Sequence, residues 1–224
     1  MPEGSTGAEL AASIGKRLAK DALVVEVDGE PADLAAPLPD GATVRIVTRK
    51  DEDALEHVRH STAHVLAQAV LDLWPGATFA GGPPIEDGFY YDFELPGGET
   101  FSDDDLERIA AKMREIISAD QPFERFELEI DDARELMADH PYKRVFMDLA
   151  AGGGDAEAAA EADTSDGRIS FYRNTEDFVD MCRGPHVPST GRLGHFDLMR
   201  VAGAYFRGSE DNQMLQRIYG TAWL

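Results

Sequence analysis

Cysteine is scarce in this sequence: Cys182 is the only one among 224 residues. A single thiol forms no disulfide within the chain, so its chemistry is that of a free thiol or a ligand. Long apolar runs are also missing, since no segment approaches the roughly 20 apolar residues needed to span a bilayer. Residues 1–5 carry neither the basic nor the apolar region of a secretory signal. These absences exclude a disulfide-stapled secreted domain and predict a cytoplasmic protein with no membrane partner.

Basic residues are few, since 21 Lys and Arg face 43 Asp and Glu, for a net charge of −22. A uniformly basic nucleic-acid surface is therefore excluded. The imbalance is confined to residues 1–167, which hold 14 basic and 37 acidic residues. Residues 168–224 hold 7 basic and 6 acidic residues. We expect a polyanion to approach this C-terminal quarter. The arginines there include Arg173, Arg183, Arg192, Arg200, Arg207 and Arg217.

Residues 1–50 predict a small α+β unit. The dipeptide Asp28-Gly29 is a strong turn signal between two apolar runs. So few elements make a thin core, and the unit is expected to be incomplete at its N-terminal end. The predicted elements are one helix with Leu10, Ile14 and Leu18 on a single face, and strands over 23–27 and 42–48.

Residues 51–224 predict a larger α+β unit with antiparallel strands. A helix runs from His57 to about Trp74, where Pro75 and Gly76 stop it. Ser102 and Asp105 form a capping box at the start of another helix. The polar, low-complexity segment 150–167 predicts a surface loop. Strands are predicted in a hairpin over 77–95, at Phe126, Leu128 and Ile130, and on both sides of a loop over 180–194.

Two short motifs carry the candidate chemistry. His60 and His64 are four residues apart on the long helix, so their imidazoles lie on one face, one turn apart. Cys182 and His186 enclose Pro185 in a loop and supply a thiol and a third imidazole. Three imidazoles and a thiolate make a tetrahedral Zn²⁺ shell, and they equally suit a hydrolytic pocket in which imidazoles hold or activate a water. The residues alone leave both interpretations open.

Three further residues are candidates for a supporting role. Asp180 is able to orient an imidazole or bind an amine, and it equally fits a solvated loop carboxylate. Lys143 precedes Arg144 in an acidic stretch, where a basic pair is typical of the surface. Tyr91 belongs to an aromatic run that is typical of a core strand.

Six sequence blocks then occur in an order that is characteristic of one family. From His57 to Trp223 the chain resembles the N-terminal half of bacterial-type threonyl-tRNA synthetases, and residues 1–50 resemble their TGS domain, a β-grasp fold. The resemblance implies a partial TGS-like unit over 1–50 and a two-layer α/β editing domain with an antiparallel sheet over 51–224. It also places the family's ATP-dependent class II domain and its own Zn²⁺ beyond Leu224. The blocks are H-S-T-A-H, G-P-P-I-E-D-G-F-Y-Y-D, P-Y-K, V-D-M-C-R-G-P-H-V-P, A-G-A-Y-F-R-G and L-Q-R-I-Y-G-T-A-W.

The resemblance implies an editing hydrolase that removes serine from mischarged seryl-tRNA(Thr), with the serine-bearing acceptor end of tRNA(Thr) and the remaining synthetase domains as partners. It assigns Asp180 to the seryl amine or hydroxyl, Lys143 to the terminal ribose or the water, and Tyr91 to the terminal adenosine. We expect this pocket to need no metal and to be the size of a hydroxymethyl group. His60 and His64 would line the pocket and position or activate the water, and Cys182 and His186 would complete the pocket. These same four residues are the candidate Zn²⁺ ligands if a metal binds.

Two other functions compete with this one. A freestanding, zinc-dependent editing hydrolase of the alanyl type would use the same four side chains as metal ligands. A TGS-bearing binding module would sense amino acids or RNA without hydrolysing anything. Metal content, and the choice between seryl-tRNA(Thr) and seryl-tRNA(Ala), distinguish the alanyl-type hydrolase from the threonyl type. Deacylation activity distinguishes both hydrolases from the binding module.

Overall fold

The structure is a computed structural model, and it describes residues 1–152, 158, 159, 162 and 167–224. The N-terminal unit is a three-stranded antiparallel sheet in the order β2-β1-β3, packed against two short helices. Ala11, Ala22, Val25 and Leu34 are buried in its core. Its elements are α1 (Gly7–Ile14), α2 (Lys16–Asp21), β1 (Ala22–Val27), β2 (Glu30–Asp33) and β3 (Val44–Thr48).

The single helix predicted for this unit is wrong. Gly15 has φ 167° and ψ 151°, so its extended backbone ends α1, and α2 begins at the next residue. Ile14, which the helical period places on the buried face, is 63% exposed. The predicted turn is present, with positive φ at Asp28 and Gly29. The edge strand β2, which follows that turn and contains Pro31, was not predicted because proline is depleted in strands.

The long helix α3 (Ala54–Leu73) is the centre of the second unit. It ends just before Pro75 and Gly76, as predicted from the sequence. All of its residues from Ser61 to Val70 are buried, so it is covered on every side rather than along one stripe. Helix α4 and strands β6 and β11 pack against it. A helix enclosed in this way holds its side chains in fixed positions for the site.

All strand pairs of the second unit are antiparallel, which confirms the predicted α+β class. One sheet has the order β10-β11-β6-β4, with β5 also paired to β6, and the other has the order β7-β8-β9. The strands are β4 (Thr78–Phe79), β5 (Pro84–Ile85), β6 (Gly88–Glu94), β7 (Glu124–Glu129), β8 (Arg168–Thr175), β9 (Phe178–Met181), β10 (His195–Tyr205) and β11 (Met214–Trp223).

The remaining helices are α4 (Asp103–Ser118), α5 (Ile130–Leu136) and α6 (Pro141–Gly152). The capping box predicted for α4 is present, since the Asp105 carboxylate accepts hydrogen bonds from the backbone and hydroxyl of Ser102. Ile130 starts α5 and does not belong to the strand predicted there. None of the sequence signals predicted α6, and this helix carries Lys143.

The surface loop predicted over 150–167 lies largely outside the described residues. Ala151 and Gly152 end α6. Ala158 and Ala162 are buried and belong to the same core as Phe146 and Met147, so the predicted surface position is wrong for these two alanines. Within the described part of the chain, we find no helix that combines the length and apolar character required to cross a membrane.

Candidate active site

Four side chains that are far apart in the sequence meet next to α3. His60 and His64 extend from one face of this helix, and Cys182 and His186 come from the loop after β9. Their ligand atoms lie within 4.8 Å of one another. Cys182 Sγ is 3.1 Å from Nε2 of His60 and 3.5 Å from Nε2 of His186. The structure therefore brings together the two motifs singled out in the sequence, and we call these four residues the His/Cys cluster.

The segment from Cys182 to His186, the 182–186 loop, is shaped by close packing. Gly184 has φ +74°, and a Cβ atom at this position would lie 1.9 Å from the Tyr172 hydroxyl oxygen. The Gly184 amide donates a hydrogen bond to Cys182 Sγ over 3.2 Å. Only glycine fits both the positive φ and the contact with Tyr172.

Ser61, the residue after His60, joins the two halves of the cluster. Its hydroxyl oxygen lies 3.0 Å from Nδ1 of His186 and accepts the Val187 amide over 3.1 Å. Because the oxygen accepts from that amide, its own proton is available to Nδ1 of His186. In that arrangement the Nε2 proton of His186 faces the Cys182 sulfur.

A buried ion pair lies directly beside the His/Cys cluster. Lys143 Nζ is 2.7 Å from Asp180 Oδ1, and both side chains are about 1% exposed. Asp180 Oδ2 accepts the Tyr91 hydroxyl over 2.5 Å and lies 3.5 Å from Nε2 of His64. The surface position expected for Lys143 is wrong, because α6 turns this lysine inward. Asp180 is likewise not a solvated loop residue, because β9 extends through Met181.

Burial makes the imidazoles of the cluster poor bases towards solvent protons. It lowers the pKa of His60 to about 3 and that of His64 to about 4, and it lowers the pKa of His186 well below its usual range. Burial alone would raise the pKa of Asp180, but Lys143, His64 and Tyr91 together hold it below its ordinary value. At pH 7 the site therefore holds neutral imidazoles next to an intact lysine–carboxylate pair.

Nδ1 of His64 is a buried atom without a hydrogen-bond partner among the described residues. Its other ring nitrogen faces the Asp180 carboxylate. If Nε2 carries the proton towards Asp180, Nδ1 presents an unused lone pair. Unsatisfied buried polar atoms are uncommon in folded proteins, and they often mark catalytic positions or positions that bind a ligand or water.

A cavity of about 660 Å³ opens onto the cluster. This volume is within the usual range for small-molecule sites and is far larger than a hydroxymethyl group. The hydroxymethyl-sized pocket expected from the sequence is therefore not the cavity as a whole, and it stays a prediction for the part next to Cys182. The second unit contributes His60, His64, Tyr91, Asp180, Cys182, Arg125 and Arg183, and the N-terminal unit contributes Glu30, Pro31, Ala32, Asp33 and Ala36.

The donor set of the His/Cys cluster is compatible with Zn²⁺. Zinc binds sulfur at about 2.3 Å and imidazole nitrogen at about 2.0–2.1 Å, so tetrahedral ligands are separated by roughly 3.3–3.8 Å. The separations of 3.1 and 3.5 Å from the sulfur to the two Nε2 atoms are close to this range, and other pairs in the set are up to 4.8 Å apart, so the side chains would have to move closer together around an ion. Imidazoles that stay neutral are also in the form that binds metals.

Sequence reasoning missed three residues that support the cluster. Ser61 lies between the two histidines of the first motif, and its position next to His60 was the only sequence feature that pointed to a role in the site. Tyr172 lies in a predicted strand and packs edge-to-face on the His186 ring at 4.4 Å. Asp33 comes from the N-terminal unit, and burial raises its pKa although Tyr172 and the His186 amide donate to it. No short-range pattern links Asp33 to a site so distant in the sequence.

The lowered histidine pKa values predict that the stability of the fold decreases as the pH is lowered. An unfolded histidine binds a proton below about pH 6.5, whereas His60 and His64 remain neutral in the fold until about pH 3–4. These residues therefore stabilise the protein fully above pH 6.5 and progressively less as the pH falls towards 4. In chelator-treated protein, the melting temperature of the parent should decrease relative to that of His60→Gln between pH 7 and pH 5. A difference that stays constant or changes in the opposite direction would contradict this assignment, and His195→Gln, at an exposed position, serves as the control.

Two family matches agree with this architecture. Residues 1–48 match the TGS domain family, and residues 169–219 match the threonyl and alanyl tRNA synthetase second additional domain. Threonine–tRNA ligases of Rubrobacter xylanophilus and Maricaulis maris are each 48% identical to this chain over 96% and 100% of its length, respectively. The ligase of Halorhodospira halophila is 46% identical over the full chain. The chain spans 31–34% of the length of these relatives. It is therefore a relative of the threonine–tRNA ligases that carries a TGS domain and a threonyl and alanyl tRNA synthetase second additional domain.

Proposed function

We propose that this chain hydrolyses the ester of mischarged seryl-tRNA(Thr), as the editing part of a threonine–tRNA ligase. The observation that carries the proposal is the His/Cys cluster at the base of a cavity, next to the buried Lys143–Asp180 pair. The likeness to threonine–tRNA ligases supports it. In this proposal residues 1–50 form a TGS-like domain and residues 51–224 the editing domain.

Such a hydrolysis answers a physical limit on amino-acid selection. Serine lacks one methyl group of threonine, so a pocket built for threonine also admits serine. One methyl group in a pocket contributes only about 1–3 kcal/mol of discrimination. A second site that admits serine and excludes threonine by size removes the resulting error.

His64, which is neutral at pH 7, supplies the base. A water held near His64 attacks the ester carbonyl carbon, and the imidazole accepts the proton that the water loses. The bond from the carbonyl carbon to the ribose oxygen then breaks, and the proton passes to that oxygen. The products are free serine and a tRNA with an intact terminal hydroxyl. His60 lines the same cavity and orders the water from the other side.

The surrounding groups orient the substrate. Asp180 carries the negative charge that binds the α-amino group of the serine, and Lys143 holds that carboxylate while its positive charge favours the developing oxyanion. Tyr91, fixed by its hydrogen bond to Asp180, forms the wall against which the terminal adenosine lies. Cys182 lines the cavity, and Nε2 of His186 supports its sulfur from 3.5 Å. In the proposal this pair closes the end of the cavity that excludes a threonyl methyl group.

The proposed partner is the acceptor end of tRNA(Thr) in the cytoplasm. Arg125 of β7 and Arg183 of the C-terminal quarter line the cavity and suit the terminal phosphates. Arg125 also pairs with Glu127 over 2.6 Å, and Arg183 donates to the Ala159 carbonyl over 3.2 Å. Most other arginines of the C-terminal quarter are engaged within the protein, as Arg217 is with Asp92 and Arg173 is with Glu124. With a net charge of −22, the chain should bind tRNA weakly unless other ligase domains add phosphate contacts.

The direct test compares the deacylation of two substrates by the 224-residue chain. We expect kcat/KM to be at least about tenfold higher for seryl-tRNA(Thr) than for threonyl-tRNA(Thr), because the extra methyl group meets the closed end of the cavity. The chelator-treated protein should retain this activity. The measurement is the release of labelled amino acid, corrected for spontaneous hydrolysis of each ester.

Other outcomes would favour the competing functions. Equal rates on the two esters would contradict the size exclusion. Preference for seryl-tRNA(Ala), together with loss of activity on chelation and recovery with Zn²⁺, would favour the zinc-dependent alanyl type. Binding of a seryl amide of 3′-amino-3′-deoxyadenosine without hydrolysis of either ester would favour the binding module.

A further inference from the structure

Asp33 is the point at which the N-terminal unit contacts the candidate site. It is the last residue of β2 and lines the cavity. Its Oδ1 accepts the backbone amide of His186 over 2.9 Å, and its Oδ2 accepts the hydroxyl of Tyr172 over 2.6 Å. One carboxylate thus holds two separate parts of the site wall from a different structural unit.

Both bonds of Asp33 act on the 182–186 loop. His186 is the final residue of that loop, so the hydrogen bond from its backbone amide to Oδ1 fixes the loop directly. The Tyr172 ring packs on the His186 imidazole, and its hydroxyl lies where a Cβ of Gly184 would be. Tyr172 is 1% exposed, so its hydroxyl has little access to water as a replacement partner. Without Asp33, the His186 amide and the hydroxyl of Tyr172, which packs on the His186 ring, each lose their hydrogen-bond acceptor.

We propose that Asp33 is a positioning residue for the hydrolysis: from the TGS-like unit it holds the 182–186 loop, and through it Cys182 and His186, in the geometry that the reaction needs. This inference rests on the proposed function for its kinetic consequence only. Asp33 itself transfers no proton and contacts no reacting atom. Reacting groups that are misplaced by about 1 Å can cost about a hundredfold in rate, so small loop displacements should be measurable.

The kinetic test compares Asp33→Ala with Asp33→Asn. We expect Asp33→Ala to lower kcat for seryl-tRNA(Thr) about tenfold or more, with KM changed less than about threefold. Asp33→Asn should stay within about threefold of the parent, because its amide oxygen still accepts the His186 amide and its NH₂ group can donate to the Tyr172 oxygen. Tyr172→Phe, which removes one hydroxyl, should lower kcat, and combining it with Asp33→Ala should give less than the sum of the two effects.

A second readout does not depend on hydrolysis. Cys182 is the only thiol in the chain and is 6% exposed, so its rate of alkylation by iodoacetamide reports on the 182–186 loop alone. Asp33→Ala should increase this rate about tenfold, as expected for the loss of a charge-assisted hydrogen bond. The rate for Asp33→Asn should stay close to that of the parent.

Arg49→Ala is the matched control, because Arg49 also joins the two units but lies away from the cavity, where it donates to the Arg192 carbonyl over 2.5 Å. Equal effects of Arg49→Ala and Asp33→Ala on kcat and alkylation would overturn the positioning role and leave only docking of the units. If Asp33→Ala does not fold by circular dichroism, a folded Tyr172→Phe with unchanged kcat and alkylation would overturn it equally. A parent that does not hydrolyse seryl-tRNA(Thr) would overturn the proposed function, while alkylation still decides the role of Asp33.

Discussion

Replacing Lys143 by methionine is expected to destabilise the protein by about 3–5 kcal/mol, the range found when one partner of a buried ion pair is removed. Methionine has a similar length and fits the space, so the loss is that of charge rather than of volume. Asp180 would remain buried with its negative charge uncompensated, beside aromatic rings of Phe79 and Tyr91 that lie 5.2 and 5.6 Å from Lys143 Nζ. Seryl-tRNA(Thr) hydrolysis should fall with it, because Asp180 would no longer be held ionised towards the substrate amine.

Urea unfolding at pH 7 measures this effect as a change in the midpoint at constant slope. Lys112→Met is the matched control, because Lys112 pairs with Asp72 over 3.1 Å but both side chains are about one-third exposed. An exposed pair contributes only about 0–1 kcal/mol. Adding Asp180→Asn to Lys143→Met should recover part of the stability, since it removes the uncompensated charge. A Lys143→Met protein within about 1 kcal/mol of the parent would show that the pair is not buried as described.

Substituting His64 by alanine is expected to lower the kcat of seryl-tRNA(Thr) hydrolysis by about 10²–10⁴, the usual contribution of a positioned general base. The lone pair proposed for Nδ1 disappears in this variant, and so does the contact between Nε2 and Asp180. His60→Ala should lose less, because His60 orders the water but does not contact the carboxylate. Single-turnover deacylation measures both variants at saturating enzyme.

His195→Ala is the control, because His195 is exposed at the start of β10 and away from the cavity. Its rate should match that of the parent. A His64→Ala protein that is folded and hydrolyses the ester within about threefold of the parent would exclude His64 as the base. Cys182→Ala adds a further comparison, since complete loss of activity together with loss of bound zinc would instead indicate a metal site.

Each of the two motifs of the His/Cys cluster could be predicted from the sequence. Helical spacing fixes His60 and His64 on one face whatever the tertiary structure, and Pro75 with Gly76 marks the end of their helix. The chain offers one cysteine, and it lies four residues from a histidine. Local geometry therefore defined both halves, and only their contact remained to be found.

The positions of Lys143 and Asp33 could not be predicted in this way. A lysine in an acidic stretch is ordinarily exposed, because an unpaired buried ammonium loses its hydration. Lys143 is buried because β9 places Asp180 opposite it, which no local pattern records. Asp33 depends on how one unit packs against another, 139 residues from Tyr172 in the sequence. The break between α1 and α2 at Gly15 was also missed, because the helical period of apolar residues continues across Gly15 although its backbone is extended.

The enclosure of α3 has a consequence for how the site would be lost. Amides in the most enclosed elements of a protein exchange with solvent only when the whole molecule opens, whereas rims and tips open far more easily. His60 and His64 are anchored to such an element, so their spacing should be among the last features of the molecule to disappear on heating. Cys182 and His186 should be displaced earlier, because their loop is held by a few hydrogen bonds, including that from the His186 amide to Asp33 of the N-terminal unit.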